Sequence, residues 1–203
     1  DTLVEKDVTL SLAIKLRSLL TARGFNVIMT RDADSTQTST GAPIPVLSLD
    51  DRAGLANHAH ALACLLLHAT ASGQGVHLYS SELDPLPAQP AANPWLTAQA
   101  PWVTQSQRLE KAFGIALHRS GINPIVSRAS VRPLDSLTCP ALVIELAPNG
   151  DNDESVNDSE YQQKVSTALA GALLDWKNDA QPPVSAALPA SAAPASPAPE
   201  AKP

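Results

Sequence analysis

The chain has 203 residues, of which only 3% are aromatic, and it carries a formal net charge of −6 at pH 7. This length suits one domain with a core of aliphatic side chains. The acidic balance, without basic runs, argues against nucleic acid as a partner. Since no apolar stretch approaches the ~20 residues needed to cross a bilayer, we expect no membrane insertion.

Helices and strands alternate along most of the chain. Apolar residues at spacings of three and four predict a helix over residues 4–22. Ser48-Leu49-Asp50-Asp51 has the spacing of a capping box and predicts the start of a second helix over residues 48–60. Two further helices are predicted over residues 105–119 and 159–176. Short apolar runs bounded by turn residues predict strands over residues 25–30, 62–68, 75–79, 124–130 and 141–146. Such alternation predicts an α/β fold, a single domain with a mostly parallel central sheet and helices on both faces.

Two proline-rich segments interrupt this pattern. Residues 81–103 contain five prolines, so we expect no regular structure there. Trp95 and Trp102 of this loop could stack on a ligand or fix the loop to the domain. Residues 179–203 are almost wholly Pro, Ala and Ser, which predicts a disordered linker or tail after a folded domain of residues 1–178.

The chain has two cysteines, Cys64 and Cys139, and both lie in or beside predicted strands. Two cysteines do not make a disulfide framework. The sequence therefore favours small hydrophobic core residues over a bridge.

Three polar residues stand where the surrounding sequence is apolar or amphipathic. His68 and Glu145 each end an apolar, strand-like run, and Glu5 opens the first helix. A buried polar group without a partner costs roughly 2–7 kcal/mol, and open α/β sheets place their sites at such strand ends. A metal ion would satisfy the imidazole and one carboxylate, leaving the other carboxylate to move protons.

Each of these residues also has an ordinary structural explanation. A histidine after an apolar strand is commonly a satisfied core or surface residue, and a buried salt bridge would account for Glu145. Thr2 and Glu5 have the spacing of a capping box, in which the carboxylate accepts a hydrogen bond from the backbone N–H of Thr2.

Six short motifs, taken in order, narrow these alternatives. They are Val4-Glu5-Lys6-Asp7-Val8-Thr9-Leu10, Thr30-Arg31-Asp32, Leu49-Asp50-Asp51-Arg52-Ala53-Gly54-Leu55-Ala56-Asn57, Leu66-Leu67-His68-Ala69, Gly75-Val76-His77-Leu78-Tyr79 and Cys139-Pro140-Ala141-Leu142-Val143-Ile144-Glu145-Leu146. This succession resembles the zinc-dependent N-acetylmuramoyl-L-alanine amidases, which cleave peptidoglycan. The resemblance extends over residues 4–176.

The resemblance implies a role for each of the three polar residues. Glu5 matches the family's glutamate ligand to Zn²⁺, His68 its second histidine ligand, and Glu145 its catalytic glutamate. The family's first ligand is a histidine in a Gly-His-Gly-Gly segment. We expect this segment upstream of Asp1, with the chain beginning within the motif. Three further matches are expected to be structural: Arg31, Arg52 and Asn57.

The implied reaction is zinc-assisted hydrolysis of the amide between N-acetylmuramic acid and L-alanine, with Glu145 as general base and then general acid. Peptidoglycan as the partner implies an extracytoplasmic location, and a regulatory protein partner stays open. Two other functions remain possible at this point. One is an inactive amidase fold that only binds peptidoglycan, and the other is a zinc peptidase of similar build.

Overall fold

The computed structural model describes residues 4–33, 46–85, 94–150 and 155–179. Within these residues, helices and strands alternate much as the sequence predicts. The helices are α1 (Glu5–Thr21), α2 (Leu49–His58), α3 (Val103–Arg119) and α4 (Ser159–Asp179). The strands are β1 (Cys64–Ala69), β2 (Val76–Ser81), β3 (Pro124–Ala129) and β4 (Ala141–Leu146).

The four strands form one sheet in the order β1-β4-β2-β3. β1 runs parallel to β4, and β2 runs parallel to β3. The central pair, β2 and β4, is antiparallel. Two of the three pairings are therefore parallel, which confirms the predicted α/β fold with a mostly parallel sheet.

Helices cover both faces of the sheet. The larger core cluster joins one face to α1, α3 and α4 through aliphatic side chains such as Leu12, Leu109 and Leu169. The smaller cluster joins the opposite face to α2 through Ala53, and it includes Val143 of β4. Full burial of each large aliphatic side chain contributes roughly 1.5–3 kcal/mol to the stability of the folded state. The core is therefore stabilised mainly by aliphatic residues, as the composition indicates.

The start of α2 follows a local sequence signal. Ser48 caps the helix by accepting a hydrogen bond from the Asp51 N–H, and the Asp51 carboxylate accepts one from the Ser48 N–H. This reciprocal pair is the capping box expected from the sequence. Within the described ranges, no helix is both long and apolar enough to span a membrane. Residues 180–203, which make up nearly all of the predicted tail, lie outside the described residues.

The predicted strand at residues 25–30 is wrong. Phe25 and Val27 pack against the larger core cluster, so the apolar pattern correctly indicates contact with the core. In the described parts of the chain, however, no strand pairs with this segment. Apolar periodicity reports burial, whereas a strand also needs a neighbouring backbone with which to exchange hydrogen bonds.

The interpretation of the cysteines as small hydrophobic residues is also wrong. Cys64 and Cys139 form a disulfide, with Cα atoms 6.2 Å apart. Cys64 begins β1, and Cys139 lies two residues before β4, the parallel neighbour of β1. The pairing of these strands brings together two cysteines 75 residues apart, a proximity that sequence spacing does not reveal.

The proline-rich loop is more ordered than its composition indicates. It contains two single-turn 3₁₀ helices, Pro94–Leu96 and Ala100–Trp102, while residues 86–93 lie outside the described ranges. Buried Gln99 anchors the loop, because its side-chain amide donates to the carbonyl oxygens of Leu137 and Cys139 at 2.8 and 2.9 Å. Trp95, by contrast, is 63% exposed.

Candidate active site

His68 and Glu145 lie side by side at one end of the sheet. They are register partners on the parallel strands β1 and β4, both close to the carboxyl ends of those strands. Side chains alternate between the two faces along a strand, so His68 shares the face of Leu66, and Glu145 that of Val143. Leu66 and Val143 belong to the smaller cluster, beneath α2. Both polar side chains therefore lie on the α2 face, beyond its apolar part.

Glu5 reaches the same place from the first turn of α1. Its Oε1 lies 2.9 Å from Nδ1 of His68, although the two residues are 63 positions apart. Val8 and Leu12 of α1 are buried in the larger cluster, which fixes the helix against the sheet and brings its first turn to the end of β1. About half of each polar side chain is exposed, 53% for Glu5 and 52% for His68.

The capping-box explanation of Glu5 fits this geometry poorly. α1 begins after Val4, whose side chain makes no capping hydrogen bond. Thr2, the expected capping residue, lies outside the described residues. The contact recorded for the Glu5 carboxylate is instead with His68.

The three residues expected to be structural form hydrogen bonds with the first turn of α1, the backbone before α2 and the backbone before β4. Arg31 donates to the Lys6 carbonyl oxygen at 2.6 Å and to Thr9 Oγ1 at 3.3 Å, which holds the first turn of α1. Asn57 donates and accepts hydrogen bonds with the backbone that precedes β4. Arg52 donates to the backbone before α2. These contacts agree with structural roles for all three matched residues.

Two further residues lie next to Glu145, and neither was predicted from the sequence to belong to the site. The Tyr79 hydroxyl donates to Glu145 Oε2 at 3.1 Å, and Nδ1 of His77 lies 3.5 Å from the same oxygen. His77 is the register partner of Glu145 across the antiparallel β2–β4 pair. Alternation along Gly75-Val76-His77-Leu78-Tyr79 indicates that His77 and Tyr79 share one face of their strand, but it does not indicate which strand lies beside them.

The surroundings of Glu145 are more enclosed than those of Glu5 and His68. The side chains of His77 and Glu145 are 18% and 29% exposed. Burial raises the pKa of the Tyr79 hydroxyl above its usual value of 10.0, and the hydrogen bond to Glu145 and the negative charge of that carboxylate raise it further. Tyr79 is therefore neutral at physiological pH and can donate its proton to the carboxylate.

A catalytic zinc ion takes three protein ligands, commonly histidine nitrogens and carboxylate oxygens. Glu5 and His68 supply one donor of each type in direct contact. Across the described ranges, no group of three or more metal-ligating side chains occurs. The pair therefore fits two of the three protein ligands.

Comparison with known proteins identifies the family. The sequence profile described as N-acetylmuramoyl-L-alanine amidase matches residues 1–175. The chain belongs to the N-acetylmuramoyl-L-alanine amidase family. It is therefore an amide-bond hydrolase that acts on the peptidoglycan of the cell wall, and the resemblance seen in the six motifs is confirmed. The exact domain boundary at residue 178 stays a prediction.

Solved structures of amidases share the fold. The amidase Ami1 from Mycobacterium smegmatis is 23% identical, with a TM-score of 0.66 and coverage of 86% of this chain and 77% of that one. The CwlD amidase from Clostridioides difficile, solved in complex with the GerS lipoprotein, is 20% identical, with a TM-score of 0.64 and coverage of 88% of both chains. An amidase from Clostridium difficile 630 is 18% identical, with a TM-score of 0.62 and coverage of 88% and 86%. No curated protein matches the chain significantly.

Proposed function

We propose that this amidase is zinc-dependent and cleaves the amide between the lactyl group of N-acetylmuramic acid and L-alanine. In this proposal Glu5 and His68 are metal ligands, and Glu145 transfers the proton. One observation supports it above the others. Side chains from α1, β1 and β4, distant in sequence, converge on one face at one end of the sheet.

Glu5 and His68 suit the metal by chemistry and by accessibility. One offers a carboxylate oxygen and the other an imidazole nitrogen, both exposed enough to meet a polymeric substrate. In this family the third protein ligand is a histidine in a Gly-His-Gly-Gly segment that precedes the glutamate. When bound, zinc would supply Lewis-acid polarisation of the scissile carbonyl.

Glu145 would perform the two proton transfers of the reaction. Its carboxylate accepts a proton from the attacking water as the water oxygen bonds to the carbonyl carbon. The same carboxyl group then donates that proton to the amide nitrogen as the carbon–nitrogen bond breaks. The products are the lactyl carboxylic acid and a stem peptide with a free L-alanine amino group.

An extracytoplasmic location, periplasmic or secreted, goes with this substrate. The Cys64–Cys139 disulfide supports it, because disulfides persist in oxidising compartments and are rare in the cytoplasm. CwlD of Clostridioides difficile forms a complex with a lipoprotein. A regulatory protein partner is accordingly part of the proposal for this chain too.

A second candidate is an inactive amidase fold that binds peptidoglycan without cleaving it. The observation in its favour is that the described residues bring together two metal donors rather than three. Such a protein would sediment with peptidoglycan and release no peptide.

Mass spectrometry of digested peptidoglycan distinguishes the candidates. The proposal predicts soluble stem peptides with a free L-alanine amino group. Their release should stop when a chelator removes the zinc, for as long as no zinc is added back. Products in which alanine stays joined to muramic acid would indicate a peptidase instead. Binding without any release would indicate the inactive module.

Zinc affinity tests the ligand assignment separately. We expect Glu5→Gln and His68→Asn each to weaken zinc binding by at least about tenfold, because the first replaces an anionic carboxylate ligand by a weakly coordinating neutral amide and the second removes the imidazole nitrogen. Asp7→Asn is the matched control, since Asp7 is an exposed carboxylate in the same helical turn whose recorded ion pair is with Lys6. Unchanged zinc affinity in both ligand variants would contradict the assignment.

A further inference from the structure

Glu145 lies at one end of a continuous chain of polar contacts. Its Oε2 accepts from the Tyr79 hydroxyl at 3.1 Å, and the hydroxyl oxygen lies 3.1 Å from Nδ1 of His77. The other ring nitrogen of His77, Nε2, lies 3.2 Å from the carbonyl oxygen of Gln74. His77 and Tyr79 belong to β2, and their packing on the α2 face keeps both next to β4.

The hydrogen-bond donors along this chain of contacts follow from the hydroxyl. The single hydrogen of the Tyr79 hydroxyl points to Glu145. The hydroxyl oxygen can therefore accept from Nδ1 of His77, in the tautomer that carries a hydrogen on that nitrogen.

We infer that His77 and Tyr79 form a hydrogen-bonded relay, which positions the Glu145 carboxylate for proton transfer. Nδ1 of His77 donates to the Tyr79 oxygen, and Tyr79 donates to Glu145 Oε2. The role in catalysis depends on the proposed function of Glu145, whereas the relay itself depends only on the contacts of β2 with β4. His77 and Tyr79 are positioning residues, because they act through Glu145.

The relay holds one carboxylate oxygen and leaves the other for chemistry. In the described residues, both recorded contacts of the Glu145 side chain are made by Oε2. A carboxylate fixed through one oxygen presents the other in a single direction, as proton transfer within hydrogen-bond distance requires. The relay therefore affects the chemical step rather than substrate binding.

Few other groups compete for the His77 ring. The titratable groups in contact with it are Tyr79 on its own strand and Glu145 on β4, beyond which lies His68 on β1. Its register partner on β3 is the uncharged Ile125. Among the described residues, Glu145 is therefore the carboxylate recorded next to this ring.

Nuclear magnetic resonance of the histidine ring nitrogens tests the relay directly. Tyr79→Phe removes the hydroxyl that lies 3.1 Å from Nδ1 of His77, so the Nδ1 signal of this ring should shift. An unchanged His77 signal in folded Tyr79→Phe would overturn the inference, whatever the enzymatic activity. Absence of amidase activity beside a shifted signal would instead count against the proposed function alone.

Kinetics test the positioning role. Tyr79→Phe removes only the hydroxyl, and we expect kcat to fall about 10- to 100-fold with KM changed less than about twofold. His77→Asn should also lower kcat, and the double variant should be no slower than Tyr79→Phe, because both residues act through one path.

His58→Asn is the matched control, since His58 is exposed and its Nδ1 contacts only the backbone of its own helix in the described structure. Its kcat should equal that of the unmodified enzyme. The melting temperatures of all variants verify that they fold. Unchanged kcat in folded Tyr79→Phe, or effects of the two substitutions that multiply in the double variant, would overturn the positioning role.

Discussion

Removal of the Cys64–Cys139 disulfide should cost the domain much of its stability. The bridge joins the beginning of β1 to the segment before β4, the two strands that carry His68 and Glu145. It closes a loop of 75 residues. In the chain-entropy treatment, closing a loop of this length lowers the conformational entropy of the unfolded state, which stabilises the folded state by about 4–5 kcal/mol at 25 °C. The double substitution Cys64→Ala and Cys139→Ala should lower the free energy of unfolding by up to about this amount.

Urea denaturation under oxidising and reducing conditions measures this effect. A reducing agent should lower the unfolding midpoint of the unmodified protein and leave that of the double variant unchanged. The double variant is thus its own control for other effects of the reagent. Equal free energies of unfolding for the two proteins would refute the entropic argument. Two reactive thiols per chain in the unfolded, unreduced protein would refute the bridge itself.

Two other predictions, each with a control substitution, concern packing and burial. Gly75→Ala should lower the free energy of unfolding by about 1–3 kcal/mol, since Gly75 has a φ of +76° and an added methyl group would collide with the Asn123 carbonyl oxygen. Gly171→Ala in α4, where a methyl group meets nothing within 4 Å, should instead add up to about 1 kcal/mol, and equal effects in thermal denaturation would contradict this contrast. Burial raises the pKa of Glu110 above 4.5, so the native protein loses stability as pH rises from that value through the raised pKa. Glu110→Gln should therefore be more stable than the unmodified protein at pH 7, and this gain in stability should be lost below about pH 4.5. The exposed Glu82→Gln is the control. A gain that does not depend on pH would exclude the raised pKa of Glu110 as its cause.

Most of the fold could be predicted from the sequence because local patterns mark where its helices and strands lie. Helical spacing of apolar residues and the Ser48 capping box located the helices to within a few residues. Apolar runs located the four strands of the sheet. The segment at residues 25–30 failed because it has the apolar residues of a strand but, within the described chain, no strand neighbour.

The candidate site was predicted only where polar residues interrupt an apolar pattern. His68 and Glu145 stand out for that reason, and the structure brings both together with Glu5. His77 and Tyr79 were missed because their proximity to Glu145 depends on the antiparallel orientation of β2, which no local pattern encodes. The disulfide was missed for the same reason, since it depends on which strands are neighbours.

The most direct test of the proposed mechanism is the rate at which Glu145→Gln releases stem peptide from purified peptidoglycan. The protein assayed should be loaded with zinc. Glutamine keeps the size of the side chain and cannot accept the proton, so we expect the rate to fall by at least about 10²-fold with zinc content unchanged. Release at the rate of the unmodified enzyme would contradict the assignment of Glu145 as the proton-transfer residue.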